Sequence, residues 1–219
     1  MINLIVDNRE IEAVPGQSLL QVCLNNGIYI PHLCFMENDP EPDASCRLCF
    51  VEIDGAPAPV TACTLPATEG MNVRTDTPRV RRLQRSALRL LLSVHMVDCR
   101  HCHANRACAL QDIAVFLNTG LKSKPLESMA QMCAVDRSHP FIDMYPHRCV
   151  LCGKCLKTCR DATGRPDLTL AGRGMQTRIR HFPADDVPPI DCTTCGRCID
   201  ICPVGALQFR ATLGSGPAC

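Results

Sequence analysis

Two cysteine runs of identical spacing dominate the second half of the 219-residue chain. Each run places three cysteines three residues apart and a fourth cysteine four residues further on, and the second run ends in Cys202-Pro203. Three thiolates at such close intervals wrap three corners of an iron-sulfur cube, while the fourth thiolate of each run reaches across to the other cube. The pattern therefore predicts two [4Fe-4S] sites, held by Cys149, Cys152, Cys155 and Cys202, and by Cys192, Cys195, Cys198 and Cys159.

Zinc is the main alternative ligand for so many thiols. Structural zinc sites are tetrahedral and pair short C-x2-C hooks that are separated by a longer loop. Eight cysteines in two uninterrupted runs do not have that spacing. The pattern therefore favours clusters over a zinc-binding structural or regulatory protein.

The composition indicates that something other than aromatic side chains holds the chain together. It contains 18 cysteines, no tryptophan, two tyrosines and six phenylalanines, and small modules with little core need disulfides or metal. The segment from Met1 to Asp7 has no basic region followed by a long apolar one, so no secretory signal is predicted. Metal binding in a reducing cytoplasm is therefore expected. The net charge of +1 and the absence of a long apolar run predict neither nucleic acid nor membrane as partner.

The N-terminal third contains another set of four cysteines, with elements around it that can position them. Residues 2–6 and 11–14 alternate as the two strands of a hairpin. Ser18 can cap a helix that ends at Gly27, and residues 50–53 form a further strand. A hairpin, a helix, a cysteine loop and a distant fourth cysteine match the plan of a β-grasp ferredoxin with a [2Fe-2S] cluster, although the spacing is not the plant type. The predicted ligands are Cys34, Cys46, Cys49 and Cys63.

Three short segments of this module resemble known families. They are Ile30-Pro31-His32-Leu33-Cys34, Cys46-Arg47-Leu48-Cys49-Phe50-Val51-Glu52 and Ala62-Cys63-Thr64. They resemble the first module of the large peripheral-arm subunit of respiratory complex I and the N-terminus of [FeFe]-hydrogenases. Those families usually carry glycine two residues before the second cysteine, where this chain has Ala44, so we expect a slightly different path of the loop.

An amphipathic helix is predicted to begin at Pro78, and a second helix is predicted over 109–117. The arginines of the first helix lie largely on the face opposite its apolar side chains, without an accompanying aromatic or second basic patch. A solvated or partner-facing surface is therefore favoured over nucleic-acid binding. The predicted buried face consists of Val80, Leu83, Ala87, Leu90, Leu91 and Val94.

The first of these helices leads into the pattern His95-x3-Cys99-x2-Cys102-x5-Cys108. The pattern resembles the motif of one histidine and three cysteines that holds a [4Fe-4S] cluster in the same two families. The resemblance implies the ligands His95, Cys99, Cys102 and Cys108. His101 and His103 lie in the same loop and stay open as alternatives to the histidine ligand. A neutral imidazole in place of a thiolate makes the site less negative and shifts its reduction potential.

The C-terminal module, 139–212, joins its two cysteine runs through residues 169–175, a turn-rich stretch that resembles the Arg-Gly segment of the same families. A strand is predicted at 204–209. Cys159 is followed by Arg160 where the second run has proline, which predicts a different turn after the first run. The cysteines without a predicted role are Cys23, Cys133 and Cys219.

Together the modules predict an α+β chain with three domains. These are a β-grasp [2Fe-2S] domain over 1–77, a small helical histidine-ligated [4Fe-4S] domain over 78–138, a two-[4Fe-4S] bacterial ferredoxin-like domain over 139–212, and a flexible tail over 213–219. The expected cofactors are one [2Fe-2S] cluster and three [4Fe-4S] clusters, with about 14 iron atoms. The sequence has no dinucleotide-binding glycine motif, P-loop or nucleophile motif, so it predicts an electron carrier without catalytic residues.

This order of modules, in a chain that ends after the ferredoxin-like part, resembles the small diaphorase subunits of cytoplasmic NAD-reducing [NiFe]-hydrogenases. The resemblance implies a hetero-oligomer in which the chain passes electrons between two partners. One is a flavin-containing subunit of the NADH-dehydrogenase type and the other is a hydrogenase small subunit. The relay subunit of an NAD-dependent formate dehydrogenase or of an electron-bifurcating hydrogenase is the alternative.

Overall fold

The computed structural model describes residues 1–37, 39–122, 128–130, 133–165, 167–182 and 192–210. The chain divides into two compact units, Met1–Leu91 with Asp112–Leu126, and Leu92–Gln111 with Glu127–Cys219. The predicted middle domain, 78–138, therefore contributes to both units, and the three-domain boundaries stay a prediction. No helix among the described residues has both the length and the apolar character needed to span a bilayer. The predicted tail, 213–219, lies outside the described residues.

A mixed five-stranded sheet forms the first unit. Its strands are β1 (Ile2–Val6), β2 (Arg9–Ala13), β3 (Phe50–Ile53), β4 (Val60–Thr61) and β5 (Asn72–Arg74). They lie in the order β2-β1-β5-β3-β4, with β1 parallel to β5 and the other neighbours antiparallel. Helix α1 (Leu19–Asn25) shares one apolar core with the sheet. This is the β-grasp fold that the sequence predicts.

The first hairpin and the first helix are both set by local sequence. The turn consists of Asp7 and Asn8, whose φ angles of 49° and 64° give the mirror-image turn that suits the twist of paired strands. The turn is shorter than the sequence suggested, because β2 begins at Arg9. Ser18 caps α1 as predicted: its hydroxyl accepts a hydrogen bond of 3.2 Å from the Gln21 backbone N–H.

Helix α2 (Pro78–Val94) is present as predicted, but its buried stripe differs. The prediction that Leu90 is buried is wrong, since 59% of this residue is exposed. The buried positions instead follow a spacing of four through Val80, Gln84 and Leu88. Apolar periodicity missed Gln84 because that residue is polar. Its amide is satisfied in the core by donating a 3.1 Å hydrogen bond to the Phe50 carbonyl.

Helix α3 (Ala109–Phe116) ends close to the predicted stop. Asn118, two residues after it, has a φ of 49° in the left-handed region, where helices commonly terminate. Two arginines of α2 hold the end of this helix within the first unit. The Arg85 guanidinium donates a 2.9 Å hydrogen bond to the Leu117 carbonyl, and that of Arg81 lies 4.3 Å from the centre of the Phe116 ring. The arginine-rich face therefore packs partly against protein rather than solvent alone.

Among its described residues, the second unit has two small sheets and three α-helices of four to ten residues around a core of its own. Its elements are β6 (Ile142–Met144), α4 (Lys154–Thr163), β7 (Leu168–Ala171), β8 (Arg178–His181), α5 (Cys192–Cys195), α6 (Arg197–Asp200) and β9 (Leu207–Phe209). Strands β6 and β9 pair antiparallel, as do β7 and β8. The strand predicted at 204–209 is shorter, and the turn-rich stretch 169–175 contains most of β7, so it forms one arm of a hairpin.

The two cysteine runs differ where the sequence predicted a difference. After the first run, Arg160 continues α4 through Thr163, and the helix ends at Gly164, whose amide donates to the Arg160 carbonyl at 2.7 Å. The second run has Pro203 at the matching place, and α6 stops at Asp200. Proline lacks the amide proton and clashes with the preceding turn, so a helix does not continue through it. The arginine thus gives α4 ten residues against the four of α6.

Candidate iron-sulfur sites

The four cysteines predicted for the [2Fe-2S] cluster lie together in the first unit. All are buried, with exposed fractions of 1–5%. The sulfur atoms of Cys34 and Cys46 are 3.4 Å apart, and the thiols of Cys49 and Cys63 also share a hydrogen bond. That bond to the partner thiol, followed by burial, raises the pKa of Cys46 and of Cys49. A cationic iron core would supply the positive charge that ionised thiols need at such a place.

The loop that carries the middle two of these cysteines has two non-glycine residues in the left-handed region. Ala44 has a φ of 48° and Arg47 a φ of 53°. This conformation costs a residue with a side chain about 1–2 kcal/mol, whereas glycine adopts it freely. Ala44 therefore adopts the backbone conformation that favours the glycine of the resembling families. The expected change in the path of the loop stays a prediction.

The four residues predicted for the histidine-containing cluster line one cavity in the second unit. His95 follows the end of α2, Cys99 opens a short 3-10 helix, Cys99–His101, and Cys102 and Cys108 follow in the same loop. The Nδ1 atom of His95 is buried and has no hydrogen-bond partner among the described residues. Burial lowers the pKa of His95, so the ring is neutral at pH 7, which is the form that binds metal. Three thiols and a neutral imidazole fit the predicted donor set.

The two competing histidines do not line this cavity. The His101 side chain is 65% exposed, and its Nδ1 atom lies 2.9 Å from the Asp98 carboxylate. His103 hydrogen-bonds the Gln208 side chain and the Leu207 backbone, although burial lowers its pKa overall. His147 also has a buried Nδ1 without a hydrogen-bond partner in the described part of the chain, but it lines a different cavity, as does Cys133. The geometry therefore favours His95 as the histidine ligand, and the assignment stays a prediction.

The first three cysteines of the first run and the last cysteine of the second line a further cavity of about 30 Å³. A cavity of about 10–15 Å³ is enough to hold a single water molecule, so this cavity has room for more than one. Besides its thiols, the cavity is lined almost entirely by apolar side chains, among them Val150, Ile179 and Leu207. Burial raises the pKa of Cys149 to about 12 and raises that of Cys155 as well. The thiols at this cavity are the four predicted ones, Cys149, Cys152, Cys155 and Cys202.

The remaining four cysteines also lie near one another, but in a more open setting. Cys159 on α4 and Cys198 on α6 pack against the same core cluster. Burial raises the pKa of Cys198 to about 12, and the charges of the other three thiols contribute in the same direction. The four half-buried cysteines of this set are Cys159, Cys192, Cys195 and Cys198. Across the described residues, no group of three or more His, Cys, Asp or Glu side chains is placed to hold a single metal ion.

Two residues at the histidine site were not singled out by the sequence. A Cβ atom at Gly205 would overlap the Cys102 sulfur and would come within 3.3 Å of Ala104. The Pro203 carbonyl accepts a 2.9 Å hydrogen bond from the Ala109 amide, so this segment is in direct contact with the histidine loop. Arg148 is buried beside the same cavity. The only sequence signals are the position of Arg148 directly before the first cysteine run and that of Gly205 after Cys202-Pro203-Val204.

Three family models match successive parts of the chain. The model described as "2Fe-2S iron-sulfur cluster binding domain" matches residues 1–78. The model "NADH-ubiquinone oxidoreductase-G iron-sulfur binding region" matches residues 84–120, and "NADH-quinone oxidoreductase subunit 3, ferredoxin-like domain" matches residues 139–208. The chain therefore contains a [2Fe-2S] domain and [4Fe-4S]-binding regions.

Relatives of known type are longer than this chain. The NADH-ubiquinone oxidoreductase 75 kDa subunit of Reclinomonas americana is 31% identical over 94% of this chain, which spans 29% of that relative. The G 2 subunit of NADH-quinone oxidoreductase from Rhizobium meliloti (strain 1021) is 35% identical over 95% of this chain and 24% of its own length. The alpha subunit of NADPH-Fe(3+) oxidoreductase from Geobacter sulfurreducens is 31% identical over 82% of this chain and 21% of its own length. The chain thus spans less than a third of these relatives.

A solved structure matches nearly the whole chain. It is a chain of NAD+-reducing [NiFe]-hydrogenase in the H2-reduced state, with a TM-score of 0.83 and 32% identity. The match covers 99% of this chain and 90% of that one. The matched relatives are oxidoreductase subunits, and the modules that they share with this chain identify it as an electron-transfer iron-sulfur protein. The chain belongs to the iron-sulfur subunit family represented by this chain of NAD+-reducing [NiFe]-hydrogenase, and it shares its modules with the 75 kDa subunit of NADH-ubiquinone oxidoreductase.

Proposed function

We propose that the chain is the electron-relay subunit of an NAD-reducing hydrogenase, carrying single electrons between a hydrogenase module and a flavin module that handles NAD(H). The observation that carries the proposal is the structural match to NAD+-reducing [NiFe]-hydrogenase, which covers 90% of the matched chain. The longer relatives are each covered over less than a third of their length, so they support the modules rather than the whole assembly.

We assign four clusters to the chain, one [2Fe-2S] and three [4Fe-4S]. The assignment uses 15 of the 18 cysteines together with one histidine. Its support is that each predicted set comes together in the fold, two of them around cavities. The proposed ligand sets are Cys34, Cys46, Cys49 and Cys63; His95, Cys99, Cys102 and Cys108; Cys149, Cys152, Cys155 and Cys202; and Cys159, Cys192, Cys195 and Cys198.

When bound, an iron-sulfur cluster accepts and releases one electron at a time. The residues of the chain determine how easily each group does so. The apolar side chains around Cys149 keep water away, while the neutral ring of His95 leaves its site with one negative charge fewer than four thiolates would give. The Gly205 backbone lies close to the Cys102 sulfur, and Gly205 follows Cys202, a proposed ligand of the other site, by three residues, so one short segment links the two proposed sites.

The proposed partners are a flavin-containing subunit of the NADH-dehydrogenase type and a hydrogenase small subunit, in a cytoplasmic complex. The matched enzyme is NAD+-reducing, and its structure is that of an H2-reduced state, so both NAD+ and hydrogen act on that enzyme. The described part of this chain offers neither a dinucleotide motif nor a catalytic constellation of its own. Partners must therefore supply the chemistry at both ends.

The proposal is tested by isolating the native complex through an affinity tag on this chain and by identifying its subunits, metals and flavin. We expect a flavin subunit and a nickel-containing subunit, and hydrogen-dependent reduction of NAD+ that Cys152→Ala abolishes. A complex that contains molybdenum and a formate dehydrogenase, without a nickel-iron subunit, would assign the relay to formate oxidation instead. Flavin-based reduction of a second acceptor together with NAD+ would indicate a bifurcating hydrogenase.

A further inference from the structure

Arg148 is a buried cation next to the histidine site. It ends the 3-10 helix Pro146–Arg148, directly before the first cysteine run, and only 7% of it is exposed. Its side chain lines the same cavity as His95 and the three cysteines of that loop. Arginine is charged at every pH at which proteins fold, so this cavity carries a permanent positive charge in its wall.

The Arg148 guanidinium has no carboxylate partner within the part of the chain that the structure describes. Its Nη2 donates a 2.9 Å hydrogen bond to the His101 carbonyl, and the group lies 4.5 Å from the centre of the Tyr145 ring. Both contacts orient the guanidinium, but neither supplies a full negative charge.

Other half-buried arginines of this unit pair with acids. Arg180 reaches Asp136 at 2.6 Å, and Arg210 reaches Asp143 at 2.9 Å. A buried cation is stable when an anion compensates it, and is costly otherwise. Arg148 differs from these arginines because no described carboxylate forms an ion pair with it; Asp98 lines the same cavity but contacts His101 at 2.9 Å.

We propose that Arg148 is the fixed positive charge that raises the reduction potential of the cluster held by His95, Cys99, Cys102 and Cys108. The inference rests on the proposed function of that site. Three thiolates around an iron-sulfur core supply the anion that Arg148 lacks. Each electron that enters the site adds one negative charge, and a nearby buried cation stabilises the reduced form more than the oxidised form.

The position of Arg148 brings its charge close to the proposed ligands. The cavity that it lines is also lined by the His95 ring and by the thiols of Cys99, Cys102 and Cys108, and its guanidinium is held there by the His101 carbonyl at 2.9 Å. Arg148 acts on the cluster through the field in the cavity, so it is a positioning and tuning residue rather than a catalytic one.

The test is a redox titration of the intact complex, followed by low-temperature EPR of the histidine-site cluster. Arg148→Met keeps much of the side-chain length and removes the charge. We expect the reduction potential of this cluster to fall by at least about 59 mV, which corresponds to a tenfold change in a one-electron reduction equilibrium. Arg148→Lys keeps a cation and should restore most of the shift. The [2Fe-2S] signal of the first unit serves as an internal reference that should not move.

Arg100 supplies the matched control. It is also an arginine next to the histidine site, since it follows Cys99 directly, but it is exposed. Water and salt screen an exposed charge, so Arg100→Met should shift the potential much less than Arg148→Met. Equal shifts in the two variants would overturn the proposal, because burial would then have no influence.

Two further outcomes overturn the proposal. An Arg148→Met protein that retains the cluster at the unaltered potential would show that Arg148 only supports the loop. If Arg148→Met loses the cluster, the Arg148→Lys variant distinguishes two roles. A cluster that is retained near the normal potential in Arg148→Lys would show that the positive charge is what the site needs. Loss of the cluster in both variants would show that Arg148 acts through its hydrogen bond to the His101 carbonyl, and would overturn the proposal. An unaltered protein without any histidine-site signal would overturn the proposed cluster itself, and the role of Arg148 with it.

Discussion

The two [4Fe-4S] sites that we propose for the second unit have opposite kinds of surroundings. The cavity around Cys149 has almost entirely apolar walls, whereas the cavity around His95 is lined by Asp98, Asn105, Gln111 and the cation of Arg148. The walls of the first cavity contain few polar groups, whereas those of the second contain several. The same cofactor would therefore meet apolar walls in one place and, in the other, polar walls that carry both the Arg148 cation and the Asp98 carboxylate.

Ligand count alone therefore does not determine which of the two proposed clusters is more easily reduced. Replacing one thiolate by imidazole and adding a buried cation both favour the reduced form of the histidine site, because each makes its surroundings less negative. The apolar site lacks both features among its described lining residues. We therefore expect the histidine site to have the higher potential of the two.

The largest expected effect comes from removing one thiol at a time. Cys102→Ala should lose the histidine-site cluster and Cys152→Ala its neighbour, each with a loss of about four iron atoms from a total of about 14. Iron analysis and EPR of the two variants measure this. If either change removed both clusters, the two sites would form one cooperative unit and the comparison between them would fail.

A smaller but selective effect is expected from Gly205→Ala. The added methyl group would overlap the Cys102 sulfur, and overpacking of this kind costs about 1–3 kcal/mol. The histidine-site EPR signal should broaden or be lost, and the midpoint of urea unfolding should fall. Gly120→Ala is the control, because open space surrounds that position. Equal behaviour of the two variants would contradict the contact between Gly205 and Cys102.

His95→Cys would give the histidine site four cysteine ligands, like the set at Cys149, so that the two sites would differ only in their surroundings. An anionic thiolate in place of the neutral ring should keep a [4Fe-4S] cluster and lower its potential, by roughly 60 mV or more. His101→Cys should leave the potential unchanged, because the His101 side chain is largely exposed and contacts Asp98. An unaltered EPR signal in His95→Cys would move the ligand assignment to His101 or His103.

The smallest effect is expected at His139, a buried histidine that, unlike His95, is not a proposed cluster ligand and hydrogen-bonds the backbone instead. The Nδ1 atom of His139 accepts hydrogen bonds of 3.1 Å from the amides of Phe141 and Ile142. Burial, together with the charges of His181 and Arg210, lowers the pKa of His139 to about 4, although Asp167 opposes this.

The unfolded chain therefore binds this proton at a higher pH than the folded one. Stability should be complete above about pH 6.5 and should fall by about 1–3 kcal/mol as the pH drops to 4. His139→Asn keeps an acceptor at the position of Nδ1 but cannot be protonated, so its urea midpoint should depend less on pH between 7 and 5. The same pH dependence of the urea midpoint in both proteins would show that His139 does not determine the pH dependence of stability.

Local patterns in the sequence predicted the parts of the fold that local interactions determine. Ser18 caps α1, and Arg160 lengthens α4, because the relevant hydrogen bond or missing proline lies within one turn of the residue. The thiols of two predicted sets each line one cavity, and one of these sets includes Cys202 from the distant second run. Their role as cluster ligands stays a prediction. Which histidine faces the cavity needed the resemblance to known families.

Features that depend on distant contacts were not predictable from the sequence. Gln84 is buried because a carbonyl of β3 meets it, and Leu90 is exposed because the packed stripe of α2 follows a different set of positions. Arg148 and Gly205 matter through residues more than 40 positions away in the chain, His101 and Cys102. Neither residue belongs to a pattern, so only the fold reveals them.

One EPR-monitored redox titration of the purified complex, with iron counted per chain, tests whether this chain carries four clusters in distinct surroundings. We expect one [2Fe-2S] and three [4Fe-4S] signals, about 14 iron atoms, and a histidine-site cluster that is reduced at a higher potential than the cluster at Cys149. A colourless chain with stoichiometric zinc would contradict the claim. So would a histidine-site cluster that is reduced after its neighbour.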